Sequence, residues 1–266
     1  MPPVRRQSTR LQALRSAKQE LSSEYLRPPR PRALRALSTA PRDNVQGVGI
    51  GEKIVGGRYT GVRAIKLLVR KKLPASEIAP RHLLPATYRG IPVDVEEVGL
   101  LHPFTVMAPR AAAPPNPRTR MRPARPGSSI GFADPNNALV MAGTFGALVS
   151  DNAGAYVLSN NHVLADENKL PPGSPIYQPG LLDGGKPATD EIAKLTRFIT
   201  LTSPGPNSVD CAIAQLDALN LANGNIIRIG FPKGTTAAAV DMIVHKTGRT
   251  TGYRVGQITS IDTDVR

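Results

Sequence analysis

Cysteine occurs once in these 266 residues, at Cys211, which excludes an intramolecular disulfide framework and a cysteine-based zinc site. A single thiol fits a reducing compartment. Tryptophan is absent and aromatics make up 4% of the chain, so any core is built from Val, Ile, Leu and Ala. Long apolar runs are missing too. None reaches the ~18 residues of a membrane span, and no transmembrane segment is expected. MPPVRRQSTRLQALRSAKQE at the N-terminus is charged without a continuous apolar stretch, so it does not read as a secretory signal. A cytoplasmic location is therefore expected ahead of a secreted one. No metal-ligand spacing is visible, and acids such as Asp134, Asp183 and Asp190 read as loop residues. GVGIG at 47–51 lacks the G-x-G-x-x-G order and the following helix of a dinucleotide-binding turn, so no cofactor is implied.

Glycine (24) and proline (26) are plentiful. They argue for many turns and short strands rather than long helices. Charge is concentrated in one half. Residues 1–126 hold 24 Lys/Arg and 8 Asp/Glu, a balance of +16, whereas residues 127–266 hold 10 and 12, a balance of −2. A basic half can make weak electrostatic contact with nucleic acid or an anionic surface. Without interleaved aromatics to stack on bases, it reads first as solvated and arginine-rich.

Four stretches follow from these patterns. Residues 1–42 read as a basic, partly disordered tail holding one short amphipathic helix, with Leu11, Leu14, Lys18 and Leu21 at helical spacing. Residues 43–100 read as a small α+β module. Its strands are VQGVGIGEKIV (45–55), RAIKLLVRKK (63–72) and IPVDVEEVG (91–99), with a short helix and loop between the last two. IVGG at 54–57 carries a glycine pair between two strand patterns and reads as a hairpin. Residues 101–126 form a Pro/Arg-rich linker, extended and open to proteolysis at Arg118, Arg120, Arg122 and Arg125. The module before it would serve as a prodomain or regulatory cap. Residues 127–266 carry short Val/Ile/Leu/Thr runs between regularly spaced glycine turns, the pattern of a β-barrel or sandwich.

Three motifs follow one another in this last stretch. In YVLSNNHVLADEN (156–168) a strand ends in a tight turn carrying His162. In NSVDCAIAQL (207–216) Asp210 opens an apolar strand. VHKTGRTTGYRVGQITSI (244–261) is a strand, a glycine-threonine turn and another strand. In this order and at this spacing they resemble the bacterial branch of the trypsin-like, chymotrypsin-fold serine proteases, and the resemblance covers slightly over half the chain. It implies a double β-barrel and serine endopeptidase activity on polypeptide substrates by acyl transfer. His162 is then the general base and Asp210 the carboxylate that orients it. That division of labour makes chemical sense, because a serine hydroxyl needs a base to take its proton and the base needs an anion to fix its tautomer.

The sequence departs from the family at the nucleophile. After Asp210 the only serine is Ser260, without a flanking glycine and in a strand-like alternation. Cys211 adjoins Asp210 and would point to the opposite face of a strand. The expectation is therefore a second barrel that is incomplete, with the nucleophile missing and the protein inactive as written. His82, His102 and His245 carry no partner pattern. A second functional class fits the same residues: a non-catalytic protein that binds peptides or nucleic acid on a protease scaffold.

Overall fold

The computed structural model describes residues 4–26, 40–101, 116–133, 140–203 and 205–265. Strand outweighs helix, 40% to 16%, and the fold class is mainly β. The chain divides into two compact units. One comprises Met1–Thr105, Ala237–Ile243 and Gln257–Arg266, and the other Val106–Thr236 and Val244–Gly256. In chain order the elements are α1 (Val4–Tyr25), the single turn α2 (Pro41–Asn44), β1 (Val45–Val55), β2 (Arg58–Val69), β3 (Thr87–Tyr88), β4 (Ile91–Glu97) and β5 (Ser129–Phe132). There follow β6 (Gly143–Thr144), β7 (Ala147–Asp151), β8 (Gly154–Ser159), the single turn α3 (Asn161–Leu164), β9 (Pro175–Tyr177), β10 (Glu191–Phe198), β11 (Ala212–Leu216), β12 (Ile243–Gly248), β13 (Gly252–Gln257) and β14 (Ser260–Val265). No helix among the described residues is long and apolar enough to cross a membrane.

The first unit is a five-stranded sheet in the order β14-β1-β2-β4-β3. IVGG does form a hairpin, with Gly56 and Gly57 both at positive φ, as the tightest strand connections require. The stretch before β3 holds two 3-10 turns rather than a helix. Helix α1 lays Leu14, Ala17, Leu21 and Tyr25 against Val48, Ile50, Ile65, Leu67 and Val93. That stripe repeats every three to four residues, the spacing of one helical face. The described part of the expected tail is thus core material, while residues 27–39 lie outside the described set. On β2, Lys66 is wholly buried, with Nζ 2.6 Å from Asp94 Oδ2 and 2.8 Å from Glu96 Oε2. The parallel register sets Lys66 beside Asp94, so a buried ammonium meets its counter-charge across the ladder.

The C-terminal boundary also differs from the expected one. Strand β14 does not join a barrel formed by residues 127–266; it pairs antiparallel with β1. Lys18 on α1 lies 2.6 Å from Asp264 on that strand, and Arg15 lies 2.8 Å from Asp262. The approach explains GVGIG. A side-chain carbon on Gly47 would come within 2.9 Å of the Asp264 carbonyl, and carbons on Gly49 and Gly51 would collide with Thr263 and the Thr259 carbonyl. The glycines make room for a returning strand. A strand pattern states that a segment is extended, not which sheet it joins.

The second unit holds a seven-stranded antiparallel sheet in the order β6-β5-β9-β10-β11-β8-β7. Its two edge strands, β6 and β7, are joined by Phe145 and Gly146 alone. From Thr144 to Ala147 are three Cα steps, ~11 Å at most, so the sheet curls into a half-barrel that brings its edges near each other. Phe145 is fully buried there, with Ile130, Phe132, Val157, Ile176, Ile192 and Leu195 in the same core. Among the described residues, strands β12 and β13 pair only with each other. Of the expected linker, residues 102–115 lie outside the described set, but residues 116–126 belong to this unit. Ala124 is fully buried, donates its N–H to the Leu221 carbonyl and accepts from Asn223. Arg120 and Arg122 pair with the buried Asp190, and Arg125 bonds Asn225. Arg122 and Arg125 are half-buried and tied into this unit, whereas the Arg120 side chain stays 56% exposed.

Candidate functional site

The site sits where β8 runs into α3. Val157 packs inward, and Ser159 closes the strand by donating to the Thr144 carbonyl at 2.8 Å. The chain then makes one helical turn, with the Val163 and Leu164 N–H groups donating to the Asn160 carbonyl. Val163, Leu164 and Ala165 are buried, so the turn is pinned by three apolar side chains while His162 faces outward. Gly143 carries no side chain because Val163 occupies that space.

Strand β11 brings the second residue. It pairs antiparallel with β8, with Ala212 opposite Ser159 and Ile213 opposite Leu158. Extending that register by two residues sets Asp210 opposite Asn161. The separation along the chain is thereby reduced to hydrogen-bond distance: His162 Nδ1 lies 2.6 Å from Asp210 Oδ2. Asp210 accepts further bonds, from the Asn161 N–H to Oδ1 at 2.7 Å and from Asn160 Nδ2 to Oδ2 at 3.2 Å. A carboxylate can only accept, so Nδ1 bears a proton, and whenever the ring is neutral Nε2 presents its lone pair. The pair is partly open to solvent, with side-chain exposures of 21% for His162 and 31% for Asp210. No described residue is hydrogen-bonded to Nε2. The arrangement can therefore take up a proton at Nε2 and hold the resulting cation against a fixed anion.

The other candidates fall elsewhere. Ser260 belongs to the first unit, where its hydroxyl lies 3.0 Å from Thr263 Oγ1. The Cys211 carbonyl accepts from the Ile199 N–H, and its side chain is half-buried. His245 does have a partner: Nδ1 lies 2.7 Å from the Tyr253 hydroxyl across the β12–β13 ribbon. His82 lies on a 3-10 turn of the first unit, and His102 and Asp134 lie outside the described residues.

Two of the loop acids carry more than their sequence context suggests. Asp183 forms a two-pronged ion pair with Arg249, at 2.5 Å from Nε and 2.6 Å from Nη2. Side-chain exposures of 2% and 6% place that pair inside the protein. Ser129 adds a third bond to Asp183 at 2.7 Å. Arg249 thus ties the glycine-threonine turn of the ribbon to the curled sheet. Asp190 accepts from Arg120 at 2.7 Å and from the Lys186 N–H at 2.9 Å. An acid in a polar loop reads the same in sequence whether it is buried or solvated.

No protein-family model matches the chain, and no curated protein matches it.

Proposed function

We propose that the second unit carries the histidine–aspartate half of a trypsin-like serine endopeptidase centre. His162 is the general base and Asp210 its orienting carboxylate. In this reading the curled sheet is the first barrel and the β12–β13 ribbon opens a second. The observation that supports it most directly is the 2.6 Å contact between His162 Nδ1 and Asp210 Oδ2, with the Asn161 N–H fixing the other carboxylate oxygen. A neutral ring so held exposes a basic nitrogen to the side where a hydroxyl would approach. The substrate class is a polypeptide. The residue that would attack is not bonded to His162 among those described, so this chain alone lacks efficient peptidase activity.

An activated ester tests the base without a serine. Hydrolysis of p-nitrophenyl acetate above the buffer rate should fall at least tenfold in His162→Ala, the lower edge of what a positioned base contributes being roughly 10²-fold in a complete site. Asp210→Asn should fall in parallel, because a carboxamide can donate to Nδ1 and reverse the tautomer. Hydrolysis indifferent to both substitutions would contradict the assignment. Labelling of a serine by a fluorophosphonate probe, lost in His162→Ala, would show a nucleophile in this chain and contradict its absence.

A further inference from the structure

We propose that Asn168 is a positioning residue for the His162–Asp210 pair, acting through a carboxamide clasp with Asn161. The inference rests on reading that pair as a base and its orienting acid.

Asn161 precedes the histidine and is wholly buried. Its Nδ2 donates to Asn168 Oδ1 and to the Ile199 carbonyl, both at 2.8 Å. Its Oδ1 accepts the Asn168 N–H at 3.0 Å. Asn168 in turn accepts the Leu201 N–H at 2.9 Å and donates to the Leu201 carbonyl at 2.8 Å. Two side chains thus join three segments: the histidine turn, the loop after it, and the stretch leaving β10.

The clasp grips both members of the pair. On one side, the residue whose side chain it holds is the one whose backbone N–H donates to Asp210 Oδ1. On the other, Ile199 donates its N–H to the Cys211 carbonyl at 3.0 Å, one residue beyond Asp210. Displacement of the histidine turn from the segment carrying Asp210 therefore strains bonds at both ends of the clasp.

The loop adopts an unfavourable backbone to make it. Asp166, Glu167 and Asn168 are consecutive residues at φ of 45°, 54° and 78°. Most residues with a side chain disfavour that region; Asn and Asp enter it more readily than Glu. The run swings Asn168 back onto Asn161. Strain of this kind persists where the surrounding bonds over-determine it, and five hydrogen bonds do so here.

The test is nuclear magnetic resonance of the intact chain with ¹⁵N-labelled histidine, reading exchange protection of the His162 Nδ1 proton. Asn168→Gly keeps the positive φ at no steric cost and deletes only the carboxamide. It should lower that protection at least tenfold. Asn168→Asp keeps the acceptor for Asn161 and Leu201 but loses the donor, and should fall between; it carries the test if the glycine variant does not fold. Asn207→Ala removes a carboxamide that bonds Thr202 but not the histidine turn, and should match wild type. A purely structural Asn168 would lower the melting temperature while leaving the His162 proton fully protected, and that result overturns the proposal. A wild-type ring with no protected Nδ1 proton overturns both this proposal and the reading beneath it.

Discussion

His162 lies in the turn just after β8 and Asp210 just before β11, and antiparallel pairing of the two strands carries them together. Asp190 had no such cue, since its partners Arg120 and Arg122 lie far upstream, in a stretch that reads as linker. Burial pushes the Asp190 carboxyl up, but the bonds from Arg120 and the Lys186 N–H, with the charge of Arg122, outweigh that and hold it below the usual carboxylate range. A carboxyl lowered on folding contributes stability above its unfolded value, and that contribution is lost as pH falls through the folded value. The stability of the second unit should therefore decline as the pH drops below about 4, where an ordinary Asp begins to protonate. Urea midpoints against pH measure it: Asp190→Asn should be less stable near neutrality and show a flatter acid limb. An equally steep limb in the variant would mean that Asp190 carries none of the acid sensitivity.

Elements were legible where a period and a turn agree. The β1–β2 hairpin, β4 and β8 fall where alternation and glycine turns place them, because a two-residue repeat states extended backbone directly. Partners were less legible. Helix α1 shows its apolar stripe in sequence, but nothing local says that the stripe docks on β1 and β2. The β12–β13 ribbon poses the same problem, and its anchor is the buried Arg249–Asp183 pair. Removing one member of a buried pair strands the other charge, at a cost of about 3–5 kcal/mol. Asp183→Ala should destabilise the second unit by that amount in denaturant titration. The double variant Asp183→Leu/Arg249→Met should recover part of the loss, since neither charge is then left alone. A single variant within about 0.5 kcal/mol of wild type would show that the ribbon is held by other means.

At the scale of the whole molecule, the fold class was readable and the partition was not. Short strands and frequent glycines sufficed for a mainly β assignment. Strand β14 broke the expected boundary because its pairing with β1 joins segments from opposite ends of the sequence, beyond any local pattern. The basic first half likewise divides between both units, and several of its arginines pair with carboxylates. The chemistry proposed for the second unit turns on the proton of the His162 ring. The ¹⁵N spectrum of the His162 imidazole at neutral pH tests this most directly. For the neutral ring the geometry predicts the proton on Nδ1 and a lone pair at Nε2, and a reversed or mixed tautomer in Asp210→Asn. A wild-type ring protonated at Nε2, or a spectrum that Asp210→Asn leaves unchanged, would contradict it.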